Sequence, residues 1–320
     1  MLNKIVLYII FIFIFVQILL ILSYGYNFLI KHFIVKEINM MDRYGKDSWV
    51  LVTGCSSGQG KIIAIEFAKR NFNIILAGRK NIFLTEDIIK QKYNVKTKCI
   101  VVDFCKSYEQ NFFQPFTEFL DTIPNKLSIV VNNVAFRTAW EPYDEMPESL
   151  INDTIACGTI VQARLTQIAL KHFIKRPYKS AIINITAQCM YRNFWFGKTG
   201  EISVPYLSAY EAANAFGYYH SQSIQKEYNG RIDVLNITPG AVITENTSYL
   251  KSTPFSIESE PFVKNIFRLL GNYQGTQCAY WGHDISNILS NFMFQYKDII
   301  LNKVGKNISH SYMESYKKEI

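Results

Sequence analysis

The hydrophobic pattern divides the chain in two. Residues Ile5 to Ile30, IVLYIIFIFIFVQILLILSYGYNFLI, form one apolar run without a charge. Beyond it the apolar residues fall into short blocks bounded by polar turns. The block in SWVLVTG, from Ser48, reads as a buried parallel strand. A glycine-rich turn follows it, then helical spacing at Ile62, Ile65, Phe67 and Ala68. FNIILAGRK, VKTKCIVVDF, LSIVVNNVA, SAIINITA and RIDVLNITPG read as five more strands, with helix-like segments between them. Alternation of this kind predicts an α/β fold built on a parallel, doubly wound, Rossmann-type sheet.

The first run exceeds the roughly 20 apolar residues that cross a bilayer as a helix. A cleaved signal peptide has an apolar core of only about 7–15 residues and a small-residue cleavage site. The longer run, with no such site after it, favours an uncleaved anchor. Lys31, Lys36, Arg43 and Lys46 follow the span, against Lys4 and the amino terminus before it. That asymmetry places the main domain on the cytosolic side. The net charge of +8 is otherwise scattered, which favours solvated surface over nucleic-acid binding. The six cysteines show no C-x-x-C pairing and no zinc-site spacing, so free thiols are expected. The chain ends in KKEI, Lys317 to Ile320. Two lysines at the third and fourth positions from the end are similar to the dilysine retrieval signal of endoplasmic-reticulum membrane proteins.

After the first strand, Gly54, Gly58 and Gly60 give T-G-x-x-x-G-x-G. Such a turn lets phosphates approach the backbone, and the helix that starts there offers unpaired N–H groups. A lone glycine pattern is weak, but strand, turn and helix around it strengthen it. TGCSSGQG, VVD at 101–103, NNVA at 132–135 and PGAVIT at 239–244 together resemble the short-chain dehydrogenase/reductase family, in order and spacing. YNVKTKCIVVDF, LSIVVNNVAF and LTQIALKHF are most similar to its membrane-bound branch of 17β-hydroxysteroid dehydrogenases and very-long-chain 3-oxoacyl-CoA reductases. The resemblance implies that Gly54, Gly58 and Gly60 hold a pyrophosphate, with Ser56, Ser57 and Gln59 between them and Val134 alongside. It implies that Asp103 bonds an adenine ring, that Asn132 lines the adenosine side and stabilises the sheet, and that Thr244 sits near a nicotinamide carboxamide. Arg79 closes the second strand, where a cation suits the 2′-phosphate of NADP better than NAD. Gln59 departs from the apolar residue usual in the family.

The same resemblance exposes a gap. The family reduces ketones with a serine after the fifth strand and a tyrosine followed by lysine one helical turn later. The lysine lowers the tyrosine's pKa. Here NITA puts Ala187 at the serine position, and LSAYEAA puts Leu207 and Glu211 at the tyrosine and lysine positions. Gly158 falls nearest to an asparagine that often supports the proton relay. None of the twenty tyrosines has lysine four residues on, so no shift of register restores the pair. Thr186 stands one residue from the serine position, on a side that alternation turns away.

These readings predict an anchor at residues 1–35, a linker at 36–47, a dinucleotide-binding domain at 48–250 and a C-terminal extension at 251–320. FMFQYKDIILNKV within the extension reads as an amphipathic membrane-surface helix or as a helix packed on the domain. The expected function is an NADP(H)-binding protein of the endoplasmic-reticulum membrane, weakly active or noncatalytic, in lipid metabolism. Its catalytic residues are unknown. Expected partners are the lipid membrane, an acyl-CoA or steroid ligand, elongation-complex proteins or a second copy, and no nucleic acid. The alternative is an active NADPH-dependent oxidoreductase with a different proton donor, such as Tyr206 or Tyr210.

Overall fold

The computed structural model describes residues 2–79, 81–135, 142–188, 193–195, 198–200, 206–247 and 250–293. The KKEI tail, Cys189 and all but the first two residues of FMFQYKDIILNKV lie outside them. Seven strands form one sheet: β1 Trp49–Thr53, β2 Asn73–Gly78, β3 Thr97–Val101, β4 Leu127–Asn132, β5 Ser180–Ile185, β6 Ile232–Ile237 and β7 Gly275–Gln277. Their spatial order is β7-β6-β5-β4-β1-β2-β3, with every neighbouring pair parallel. Six of these are the strands read from the sequence. The seventh is three residues long, and its polar GTQ carries no hydrophobic block.

Alternation along β1 builds both halves of the core. Val50 and Val52 face Ile63 and Phe67 of the helix Gly58–Lys69 and Phe262 and Phe267 of the helix Ser259–Leu269. Trp49 and Leu51 face Phe116 and Leu120 of the helix Gln114–Asp121 and Leu165 of the helix Val161–Phe173. Burial on both faces explains why these strands read as continuous apolar blocks. The chain reverses its winding between β1 and β4, so a crevice opens beyond the carboxyl ends of those two strands.

The apolar run forms the helix Leu2–Leu29, followed by a wider turn at Ile30–Ile34. It is long and apolar enough to cross a membrane, at roughly 1.5 Å rise per residue against a hydrocarbon core of about 30 Å. Its far end is fastened to the domain. Lys31 Nζ and His32 Nε2 lie 2.5 and 2.7 Å from Asp284 Oδ2, in the helix Trp281–Met293. Arg268 donates to the carbonyls of His32 and Val35, both at 3.0 Å. Burial opposes charge on Asp284, yet the His32 hydrogen bond and the Lys31 charge hold its carboxyl below the ordinary range.

Residues 36–47 are equally well fastened. They carry a short helix, Met40–Tyr44, with Met40 and Tyr44 buried. Arg43 grips Asp233 through two hydrogen bonds of 2.6 and 2.9 Å, and the Tyr44 hydroxyl donates to the same carboxylate at 2.8 Å. Asp233 is 1% exposed at the start of β6, the end of the sheet away from the crevice. Asp233→Ala is expected to cost about 3 kcal/mol, because it strands the Arg43 charge and the Tyr44 hydroxyl. For a domain of this size that lowers the melting temperature by roughly 6–12 °C. A melting curve unchanged from wild type would show the cluster to be structurally idle.

Candidate functional site

Two loops meet in the crevice. Gly54 follows β1 at φ +62°, a conformation that disfavours other residues. A Cβ there would lie 3.0 Å from the Val134 Cα, in the loop after β4. Gly60 permits a closer approach still. A Cβ on it would lie 2.3 Å from the Gly54 carbonyl oxygen, which is backbone and cannot swing away. The glycine pattern therefore packs the first turn of the helix Gly58–Lys69 directly onto the end of β1. Asn133 fixes this junction, its Nδ2 donating to the carbonyls of Thr53 and Gly54 at 3.0 and 3.2 Å. Thr53 Oγ1 in turn accepts from the amides of Asn133 and Val134, at 2.9 and 3.1 Å. Both residues escaped the sequence reading, although the Asn-Asn doublet at a strand end was a signal.

The remaining positions read as cofactor-binding gather around the same edge. Ser56 and Ser57 lie in the turn, partly exposed, and Ser57 precedes the helix without capping it by its side chain. Gln59 occupies the helix's first turn, and its Oε1 is buried without a partner. Arg79 is exposed directly after β2. Asp103 follows β3 and accepts from the Cys105 amide at 3.3 Å. Thr244 stands against the cradle, 3.6 Å from where a Cβ on Gly58 would be. Asn132 is turned into the sheet: its Nδ2 donates to Asn184 Oδ1 at 2.8 Å and reaches Thr166 Oγ1 at 3.3 Å. Of the two roles implied for it, sheet stabilisation is the one these hydrogen bonds display.

One contact was not foreseen. The Gly58 amide, first in the helix, donates to Glu245 Oε2 at 2.9 Å. Glu245 follows Thr244 and opens the short turn Glu245–Thr247.

Beside the cradle lie the positions where proton chemistry was sought. Leu207 sits just before the helix Ser208–Glu227 and is 7% exposed. The Glu211 amide donates to the Leu207 carbonyl at 2.8 Å, so the two residues stand one turn apart. Tyr206, before them, has φ +74°, a costly conformation for a bulky side chain. Ala187 follows β5 and is 8% exposed. The Thr186 hydroxyl is directed at β6, 3.1 Å from Asn236 Oδ1 and 3.2 Å from the Ile237 carbonyl. Gly158 lies in a widened helical turn, Ala156–Ile160, where a Cβ would lie 2.8 Å from that of Ala213. No larger side chain fits that crossing without moving the helix. A small cavity opens there, lined by Asn132, Thr154, Gly158, Gln162, Thr186, Tyr210 and Asn214, among others.

His283 buttresses the far wall. Its Nδ1 accepts from the Gly240 amide at 3.1 Å, and its Nε2 lies 3.2 Å from the Ala241 carbonyl. Burial lowers its pKa, in keeping with a neutral ring that accepts at one nitrogen and donates at the other. Gln188 donates to the His283 carbonyl at 2.5 Å, which ties the loop after β5 to the same helix.

The family model for short chain dehydrogenases matches residues 48–254, from β1 through the Glu245 turn. The chain belongs to the short chain dehydrogenase family. Among curated relatives it is 29% identical to a very-long-chain 3-oxoacyl-CoA reductase of Mus musculus, over 84% of this chain and 83% of that protein. It is 30% identical to hydroxysteroid dehydrogenase-like protein 1 of Gallus gallus, over 79% and 73%. Among solved short chain dehydrogenases, one from Sphingobium yanoikuyae in complex with NADPH superposes with a TM-score of 0.59 at 19% identity, covering 72% of this chain and 87% of that one. A structure that addresses 7beta-hydroxysteroid dehydrogenase stereoselectivity reaches 0.66 at 18%, covering 79% and 94%. At those identities the superpositions establish the fold.

Proposed function

We propose that this short chain dehydrogenase binds NADP(H) but lacks the family's proton donor, and that it serves lipid metabolism as a weakly active or noncatalytic subunit. The observation that carries the first half is the cradle. Gly54 and Gly60 let the start of the helix pack onto the end of β1, where a Cβ would strike neighbouring backbone, and so hold the Gly58 amide at the edge of the crevice, where it donates to an anion. Gly54, Ser56, Ser57, Gly58, Gln59 and Gly60 would hold the pyrophosphate and Arg79 the 2′-phosphate. Asp103, Asn132 and Val134 would line the adenosine side and Thr244 the nicotinamide. When bound, NADPH supplies a hydride. The second half rests on Leu207, Glu211 and Ala187, which offer neither an acidic hydroxyl nor a cation at the positions the family uses.

Location and ligand class follow from the same reading. The helix Leu2–Leu29 anchors the protein, and Asp284 holds the anchor's end against the domain. The apolar helix and the KKEI tail favour the endoplasmic-reticulum membrane, and the relatives' names support an acyl-CoA or steroid ligand; elongation-complex proteins or a second copy are the partners this reading implies. Residues 36–47 pack on the sheet, and the described part of the 251–320 extension is read as belonging to the same domain, since it supplies β7 and the core helix Ser259–Leu269.

NADPH titration by fluorescence tests the cofactor assignment. Arg79→Glu is expected to weaken NADPH about 10–100-fold, the worth of a charge-assisted hydrogen bond of about 1.5–3 kcal/mol, while NADH binding changes little. Equal losses for both nucleotides would remove Arg79 from the 2′-phosphate.

A second reading, an active oxidoreductase, is favoured by one observation. Tyr210 lines the cavity beside Thr186, and Tyr206 does not. If that phenol donates the proton, Tyr210→Phe abolishes NADPH-dependent reduction of a 3-oxoacyl-CoA and Tyr206→Phe does not.

A further inference from the structure

We propose that Glu245 is a built-in competitor for the phosphate seat of the cradle, an autoinhibitory contact that NADP(H) must displace in order to bind. The inference rests on the cofactor reading above and goes beyond it.

The helix Gly58–Lys69 begins without an internal cap. Ser57 is extended and makes no side-chain cap, and no acidic residue occupies the first turn. Its leading amide is instead taken by a carboxylate from far along the chain, Glu245 Oε2 at 2.9 Å. A carboxylate is favoured there for the reason a phosphate is, since unpaired N–H groups give a helix start partial positive charge. No backbone crowds this side of the turn, since a Cβ on Gly58 would meet only the Thr244 side chain, at an ordinary contact distance of 3.6 Å.

Two anions cannot share one amide donor. A pyrophosphate brought to the Gly58 amide meets the Glu245 charge at hydrogen-bond range, where like charges repel and are only partly screened. Cofactor binding therefore includes expulsion of Glu245. Because Glu245 adjoins Thr244, the residue assigned to the nicotinamide end, that expulsion links phosphate binding to the loop at the other end of the dinucleotide. The contact also gives the protein a way to keep its cofactor affinity low without altering the glycine cradle.

The test measures NADPH Kd by fluorescence titration on the full-length protein in detergent, for wild type, Glu245→Gln and Glu245→Ala. Glutamine keeps an acceptor for the Gly58 amide and loses the charge; alanine loses both. Alanine is expected to bind NADPH about fivefold tighter than wild type, with glutamine between them. The difference should shrink at high salt. Inorganic pyrophosphate, used as a competing probe, should show an inhibition constant, corrected for the NADPH Kd of each protein, that is lower for the alanine variant than for wild type. Equal Kd values in all three proteins, or weaker binding in the variants, overturn the competitor while leaving the cofactor reading intact. No NADPH binding by any of the three, with melting temperatures matching wild type, overturns the cofactor reading and the competitor with it.

Discussion

Restoring three side chains, Ala187→Ser, Leu207→Tyr and Glu211→Lys, is expected to raise NADPH-dependent reduction of a long-chain 3-oxoacyl-CoA by at least about 10²-fold over wild type. The geometry supports the choice. Leu207 and Glu211 are separated by one helical turn and linked by a backbone hydrogen bond of 2.8 Å, so the new phenol and ammonium arise at neighbouring points on one helix. A lysine at 211 removes a negative charge and adds a positive one, both of which favour ionisation of a phenol at 207. Serine at 187 adds a hydroxyl at the end of β5, where a developing oxyanion would be held. General acid–base catalysis contributes about 10²–10⁴-fold in enzymes, and an oxyanion donor about 10²–10³-fold, without simple additivity. Full recovery is not expected. The relay asparagine would have to enter at Gly158, where a Cβ would already lie 2.8 Å from the Ala213 Cβ. The measurement is single-turnover oxidation of NADPH with wild type, the triple variant and Leu207→Tyr alone. Wild-type turnover already at ordinary enzymatic rates, unchanged by the three substitutions, would sink the noncatalytic reading. Loss of that turnover in Tyr210→Phe would then identify the proton donor.

What the sequence made legible was whatever depends on short-range geometry. Five of the seven strands announced themselves because they are buried on both faces, as the burial of β1, β2, β4, β5 and β6 shows, while β3, at the sheet edge with only Ile100 buried, was legible from its apolar CIVV block alone. Part of the glycine cradle was readable for a local reason: a Cβ on Gly60 would strike the Gly54 carbonyl oxygen, a few residues back, whereas the crowding at Gly54 comes from Val134 and Asn133 in the distant loop after β4. The proposed replacement of the proton machinery rests on the family resemblance, and the spacing it assumes, with 207 and 211 one helical turn apart, is the spacing the helix has. Contacts that close over long stretches left no such mark. Glu245 reaches Gly58 across 187 residues, and Asp284 reaches His32 across 252. Nothing in E-N-T or H-D-I discloses such partners. β7 went unread because three polar residues join the sheet through backbone pairing with β6 alone. The widened turn at Ala156–Ile160 was equally hidden, since Gly158 shows its purpose only once Ala213 lies across from it.

Gly58→Asp is expected to abolish NADPH binding, with an affinity loss beyond about 100-fold, while the fold survives. The site allows this separation of effects. At Gly60 even alanine would strike the Gly54 carbonyl oxygen at 2.3 Å, so loss of binding there would not be told apart from damage to the crevice. At Gly58 a Cβ meets only the Thr244 side chain, at an ordinary 3.6 Å. Its cost is the backbone, held at φ +54°, which aspartate tolerates better than most residues and which costs roughly 1–2 kcal/mol. That corresponds to a melting temperature lower by about 2–8 °C, a protein still folded at room temperature. The new carboxylate is tethered where the phosphates must approach, and unlike Glu245 it cannot swing away with a loop. Adding Glu245→Ala to Gly58→Asp should therefore rescue nothing, although Glu245→Ala alone tightens binding. If the Gly58→Asp protein bound NADPH as well as wild type does, the phosphates would not sit at the start of this helix. The glycine pattern would then serve only the close packing of helix on sheet.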